Sequence, residues 1–468
     1  MLKKNNSFFN RLDKFKNNNA LITENNESIT YKKLITYSEE ISKKIENEKS
    51  LIFLLGQNNL ETVASYISFV NAGHVVVLLD YKINDQFLKK LINLYKPSYI
   101  FCEKSKFKTS KIYLQTHSFK SYFLLKRNKK VANNFHRDLM LLMSTSGTTG
   151  SPKFVRLSYS NFQSNTKEII KYLDIKSKDI TITSLPFTYV YGLSVINTHL
   201  CVGATIVLTN SSMVEKKFWK LVNENKVNNL AGVPYNYSII EKISKKGLPL
   251  SLKYTTQAGG KMDHVLIKKI LEIYKLNKIK FIQMYGASEA TSRMSYLDPI
   301  YASKKIGSIG KAIPGGKFYL IDRFGKKINK KYKKGELVYE GKNVFMGYAE
   351  NFYDLSLPDL KKGILRTGDV AYKDKNGFYF IVGRKNRYIK LYGMRVNLSE
   401  LENILLKKGI ITLMKEASEN KVYIYFKNLS KAKKAITYIT KMTSINQNVF
   451  IIKKISEKNL STNLKFKI

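Results

Sequence analysis

The run from Ser144 to Phe162, STSGTTGSPKFVRLSYSNF, is the part of the chain best equipped to hold an oligophosphate. The strand-like segment DLMLLMSTS leads into it, and a helix-like segment follows Ser158. Its Gly, Ser and Thr residues, with one Lys, would offer backbone N–H groups, hydroxyls and a cation to phosphate oxygens. From Gly147 the spacing does not fit G-x-x-x-x-G-K-[ST], and Pro152 precedes Lys153, so this is not a P-loop. Read alone, the run has a plain Gly/Ser turn as its alternative. Metal chemistry on His and Cys has little support. The five His are scattered, and no H-x-x-x-H or C-x-x-C pair occurs. Cys102 and Cys201 are too few for a disulfide scaffold, which points to a reducing, cytoplasmic compartment.

The elements that must position this loop are alternating ones. SITYKKLITYSEEISKKIE, residues 28–46, has apolar spacing near 3.6 after a Ser/Thr start and reads as an amphipathic helix. LIFLLG, a helical stretch over 59–71 and HVVVLLD give strand, helix, strand, the alternation of a parallel sheet. The pattern recurs through TITSLPF, GATIVLT, VNNLAGVP, KYTTQAGG and KFIQMYG. From Gly307 the texture changes to short strands and turns, with hairpin-like DRFG and DKNG. The tail after Arg384 has a β-α-β pattern. We therefore expect an α/β fold: a large domain over 1–384, of parallel-rich sheets with helices plus a small β-rich subdomain, then a small α+β domain over 385–468. No apolar run approaches the ~20 residues needed to span a bilayer, and the basic N-terminus lacks the apolar core of a signal peptide. The net charge is +46, from 81 Lys+Arg against 35 Asp+Glu. Lys is spread along the chain with Asn, Ile and Tyr and forms no nucleic-acid motif, so it reads as compositional bias, with no specific nucleic-acid partner.

TSGTTGSPK closely resembles the phosphate loop of the acyl-adenylate-forming superfamily, which comprises acyl-CoA synthetases, adenylation domains of peptide synthetases, and luciferase. SLPFTYVYGLSV, QMYGASEAT, GELVYEGKNVFMGY, RTGDVAY and GRKNRYIKLYGMRVNLSELEN resemble further motifs of that family in the same order. The resemblance covers essentially the whole chain, and it implies a set of roles. Thr145, Ser146, Gly147, Thr148, Thr149, Gly150 and Lys153 would hold the β/γ-phosphates of ATP. Tyr285, beside Gly286, would stack on adenine. Ser288, where the family usually has Thr, would touch the α-phosphate. Glu289 would bind Mg2+, a hard cation suited to carboxylate. Asp369 and Arg384 would hold the ribose. Asn386 falls at the hinge about which the C-terminal domain moves as a mobile lid. Lys390 would face the site for thioester formation, although an exposed lysine is the plain alternative. The best match for the catalytic lysine is Lys467, with Lys465 as runner-up; there Phe466 replaces the family's Gly and Ser461 its Pro.

The implied reaction is an AMP-forming ligation: ATP·Mg2+ and a carboxylate give acyl-AMP, and an external thiol then takes the acyl group. That thiol is CoA or the phosphopantetheine of an acidic acyl-carrier protein. The resemblance places Tyr189, Val190, Gly192 and Tyr235 at the acid pocket, with Gly259 and Gly260 letting ligand approach the backbone. Amino-acid-activating relatives carry Asp where this chain has Val190. Val cannot balance an α-ammonium, so a plain carboxylic acid is favoured. Two alternatives remain: an amino-acid–carrier ligase, and an adenylation fold with impaired catalysis.

Overall fold

The computed structural model describes residues 9, 11–106, 111–131, 134–144, 153–245, 247–384, 388–406, 408–426 and 429–454. The chain divides into two compact units, the larger holding most of residues 1–383 and the smaller built on 384–468.

The larger unit contains an eight-stranded sheet. Its centre is parallel: Leu139–Ser144, Val75–Asp80, Leu51–Gly56 and Tyr99–Glu103 lie side by side. Leu51–Gly56 is buried at every position, which is why it reads as a continuous apolar run rather than an alternating one. The helix Leu60–Asn71 covers it, started by Asn59, whose side chain accepts from the Thr62 N–H at 3.0 Å. One edge is antiparallel, Phe154–Ser158 pairing with Leu139–Ser144 and with Gly347–Ala349.

A second, 14-stranded sheet begins parallel and ends antiparallel. Ile180–Ile182, Asn229–Gly232, Tyr254–Gln257 and Lys280–Tyr285 run parallel as neighbours. Ser295–Leu297 reverses direction against Lys280–Tyr285. From there Ser308–Ala312, Tyr379–Arg384, Ile364–Lys373, Gly335–Gly341 and Gly316–Ile321 extend the sheet. DRFG turns the hairpin in which Leu320 pairs with Ile328. The helix expected over 28–46 is shorter, Tyr31–Ser42. Ser28–Thr30 pairs with Asn19–Ile22 instead, and Thr30 caps the helix by accepting from the Lys33 N–H. A Ser/Thr start serves a strand end and a helix cap equally well, and the strand partner is distant from the pattern that defines the helix.

The smaller unit has its own core. A hairpin of Tyr388–Leu391 and Met394–Asn397 leads into the helix Leu398–Leu406. Thr412–Ser418, Lys421–Phe426 and Phe450–Lys454 form a sheet that shares one apolar core with the helices Leu398–Leu406 and Ala432–Thr443, built from Leu401, Leu405, Val422, Ile424 and Ile439. No helix among the described residues is long and apolar enough to cross a membrane.

Candidate active site

Four parallel neighbours of the large sheet end on the same side, and the candidate residues follow those ends. Tyr189 lies after Ile180–Ile182, Tyr235 after Asn229–Gly232, Gly259 and Gly260 after Tyr254–Gln257, and Gly286, Ser288 and Glu289 after Lys280–Tyr285. Carboxyl ends of parallel strands are where open α/β sheets bind ligands, because the connecting loops converge there.

Tyr285 closes its strand opposite Ser295, and its phenol donates to Oδ2 of Asp369. Asp369 belongs to Ile364–Lys373, where the pairing with Gly335–Gly341 slips beside it, Glu336 facing Val370 but Val338 facing Arg366. Gly368 has φ +71° at that bulge, and a bulge re-aims the side chain that follows it. The Thr367 hydroxyl bonds the Leu337 carbonyl at 2.7 Å and accepts from the Asp369 N–H at 3.1 Å, fixing the turn. The Asp369 carboxylate is thus buried and presented to the strand end.

The turn after Tyr285 is unusually constrained. A Cβ on Gly286 would lie 1.6 Å from the Ser292 carbonyl oxygen. Thr291 and Ser292 both have positive φ, +55° and +119°, a conformation that persists only where its surroundings enforce it. Asn343 supplies much of that enforcement. Its amide donates to the carbonyls of Ala290 (2.8 Å) and Arg293 (2.9 Å), and its Oδ1 accepts from the Tyr339 phenol. The Phe345 N–H holds the Glu289 carbonyl at 2.9 Å. Glu289 is buried, and its carboxylate accepts from the Tyr348 phenol at 2.9 Å. The Lys153 ammonium sits 3.8 Å from the centre of the Tyr348 ring and 3.7 Å from the Glu350 carboxylate. Pairing of Gly347–Ala349 with Phe154–Arg156 creates this row of Lys153, Tyr348 and Glu289. Neither Asn343 nor Tyr348 stands out in the sequence; both lie inside GELVYEGKNVFMGY, where only the cross-strand contacts reveal their partners.

The acid-pocket candidates divide. Gly259 has φ +83°, and a Cβ there would be 2.9 Å from both the Tyr189 hydroxyl and Val233 Cγ1; one on Gly260 would meet Pro234 at 3.0 Å. Tyr189 therefore lies directly over the Gly259 backbone. Burial pushes its phenol up to about 12. Gly192 lets the helix Val190–Cys201 seat on the Pro186 carbonyl, 2.2 Å from where a Cβ would be. Val190 packs into the main apolar core with Phe187 and Leu193, whereas Tyr191 clusters with Ala258, Val233 and Met284. Tyr235 is exposed on the first turn of the helix Pro234–Ser244. Thr145, Ser146, Gly147, Thr148, Thr149, Gly150, Asn386 and Lys467 lie outside the described residues, as does the Arg384 side chain. Lys390 is half-buried in the smaller unit, paired across the hairpin with Arg395.

The model of the AMP-binding enzyme family matches residues 8–349. A 2-succinylbenzoate–CoA ligase from Oceanobacillus iheyensis is 26% identical over 406 residues, 85% of this chain and 82% of that protein. The ligase of the same name from a Geobacillus species is 28% identical over 270 residues, 58% of this chain and 53% of that protein. A double mutant of o-succinylbenzoate CoA synthetase from Bacillus subtilis, bound with its product analogue, shares the fold at TM-score 0.79 and 20% identity, over 98% of this chain and 97% of that one. The complex of that enzyme with ATP and a magnesium ion gives 0.67 at 21% identity, over 98% of each chain. The family match spans the segments that carry Tyr285, Glu289 and Tyr348, and the chain belongs to the AMP-binding enzyme family.

Proposed function

We propose that this chain is an ATP-dependent acid–CoA ligase that forms an acyl adenylate and then a thioester. The observation that carries the reading is the pair of buried carboxylates, Asp369 and Glu289, each met by a tyrosine hydroxyl at the carboxyl end of the parallel strands. Two fixed anions in that position suit two different tasks. Asp369 accepts hydrogen bonds, as ribose hydroxyls require, and Tyr285 beside it offers a ring face to adenine. Glu289 fits Mg2+, being a hard oxygen donor next to the cationic Lys153; when bound, Mg2+ supplies charge neutralisation on the phosphates. Lys153, with the loop 145–150, takes the β/γ-phosphates.

The acid's carboxylate oxygen attacks the α-phosphorus, pyrophosphate leaves, and the thiol sulfur then displaces AMP from the acyl carbon. Lys467 serves the first half-reaction and Lys390 the second, with the smaller domain, 385–468, turning about Asn386 between them. CoA is preferred to a carrier protein as acceptor, because the relatives with this chain's sequence pattern are named CoA ligases. Their name also makes 2-succinylbenzoate the first acid to try. Both co-substrates are cytoplasmic pools, consistent with the two free thiols.

The test is acid-dependent ATP–pyrophosphate exchange followed by mass detection of the CoA thioester. Lys467→Ala is expected to abolish exchange yet retain thioester formation from supplied acyl-AMP; Lys390→Ala is expected to do the reverse. Absence of exchange with every acid, in protein that binds ATP, would overturn the reading.

A further inference from the structure

The positive charge of the chain is not evenly laid out. Seven of the thirteen residues from Asp322 to Lys334 are Lys or Arg, against 81 of 468 in the whole chain, and no other stretch is as dense. Compositional bias spreads lysine along a chain and does not account for this concentration. Like charges packed this closely repel one another, and such blocks commonly serve interaction.

The run is folded. It contains the turn between Gly316–Ile321 and the two-residue strand Lys327–Ile328, which forms one edge of the 14-stranded sheet. Asp322, its one acid, is taken up by the turn: Oδ1 accepts from the N–H groups of Phe324 and Lys326, each at 2.9 Å. Arg323, Lys326, Lys327, Lys330, Lys331, Lys333 and Lys334 are all exposed. None of them forms an ion pair among the described residues. At the tip Phe324 is 79% exposed, and the Arg323 guanidinium stands 4.6 Å from the centre of its ring. Gly325 follows with open space around it, so the tip projects into solvent. Tyr332 is exposed further along the run, its N–H anchored on the Lys373 carbonyl at 2.8 Å.

Cations around a protruding apolar ring suit the boundary between water and an anionic bilayer. The cations stay among the lipid phosphates while the ring enters the acyl boundary. Three plainer readings fit less well. A single exposed apolar side chain is ordinary, but this one stands at the centre of the basic run. Lysine on an edge strand deters edge-to-edge pairing, which explains neither the density nor Phe324. Single-stranded nucleic acid needs a basic groove with aromatic rings in series, whereas this ring stands at the apex of a turn.

We infer that the hairpin 322–334 is a docking surface for an anionic membrane. Phe324 enters the interface, and the seven cations contact lipid phosphates. The attachment is peripheral and reversible, since it rests on one inserted ring and on charge that salt screens.

The test is co-sedimentation of the full chain with vesicles of phosphatidylcholine, and with vesicles of phosphatidylcholine and phosphatidylglycerol in equal parts. Binding is expected to the anionic vesicles only. Changing Lys330, Lys331, Lys333 and Lys334 together to Gln should weaken it by about fivefold per charge removed. A charge-matched variant, with the exposed Lys43, Lys44, Lys268 and Lys275 changed to Gln, should bind as wild type does. Phe324→Ser keeps every charge and should weaken binding about 10-fold, the worth of burying one aromatic ring. In Phe324→Trp, indole emission should move to shorter wavelength on the anionic vesicles, beyond any change from Trp219 in wild type. Equal weakening in the two lysine variants would mean that net charge alone binds, and overturns the inference. Phe324→Ser binding as wild type does also overturns it. So does a hairpin variant that loses binding to poly(U) RNA while keeping its binding to vesicles, since the partner is then a nucleic acid.

Discussion

The Tyr285 phenol donates to the Asp369 carboxylate across 84 residues of sequence. One residue ends a parallel strand and the other follows a bulge in an antiparallel one, so their meeting depends on the junction of the two parts of the sheet. The pair holds the carboxylate in place. Asp369→Asn keeps the shape and removes the charge. It is expected to raise the KM for ATP about 10- to 100-fold, the scale of hydrogen bonds to a charged group. Tyr285→Phe leaves the buried carboxylate short of one donor and should lower stability by about 1–3 kcal/mol in urea unfolding.

The row of Lys153, Tyr348 and Glu289 makes a separable prediction. Glu289→Gln should lower exchange at least ~100-fold, as expected when charge is lost at a phosphoryl-transfer site. Tyr348→Phe keeps the ring under Lys153 and removes only the donor to Glu289. It should shift the Mg2+ concentration for half-maximal activity by about 3- to 10-fold, the range of a single neutral donor's worth. An unchanged Mg2+ dependence in Tyr348→Phe would remove Tyr348 from the site.

These two pairings also show what was legible beforehand. The α/β alternation, the β-rich stretch after Gly307 and the α+β tail follow from local periodicity, and the structure contains all three. Glu289, Tyr285 and Asp369 are candidates because their surrounding strings resemble a family's motifs. The tyrosine partner of Glu289 is not: Tyr348 reaches it only through pairing of Gly347–Ala349 with Phe154–Arg156, a contact no local pattern encodes. By its position after Tyr189, Val190 reads as a pocket residue, yet the helix turns it into the apolar core and turns Tyr191 toward Ala258.

Glycine substitutions test the backbone account. Gly286→Ala would put a Cβ 1.6 Å from the Ser292 carbonyl oxygen. With no flexible side chain to yield, it should cost about 3 kcal/mol or more, or prevent folding. Gly325→Ala is the control. Its φ is +85° but nothing lies within 4 Å, so only the left-handed strain of about 1–2 kcal/mol applies. Comparable losses in thermal unfolding would contradict the tight turn.

Two buried histidines set a pH dependence of stability. Burial lowers His74 and His199 from 6.5 to about 4. His74 Nδ1 accepts from the Ser50 N–H at 3.2 Å, as a neutral ring does. Their stabilisation is complete above the unfolded value of 6.5. Below it the unfolded chain takes up protons that the folded chain refuses. Stability should therefore fall between pH 6.5 and about 4, by up to roughly 1.4 kcal/mol per pH unit for each ring. Urea midpoints measured across that window check it; a flat profile would mean that the rings are hydrated or paired.

The central claim is that the sheet edge bearing Asp369 and Glu289 adenylates an acid. Its most direct test is acid-dependent ATP–pyrophosphate exchange with wild type, Asp369→Asn and Glu289→Gln, starting from 2-succinylbenzoate. The account predicts exchange that needs the acid, weakens through the KM for ATP in Asp369→Asn, and collapses in Glu289→Gln. Exchange unaffected by either substitution, or none with any acid in protein that still binds ATP, would contradict it.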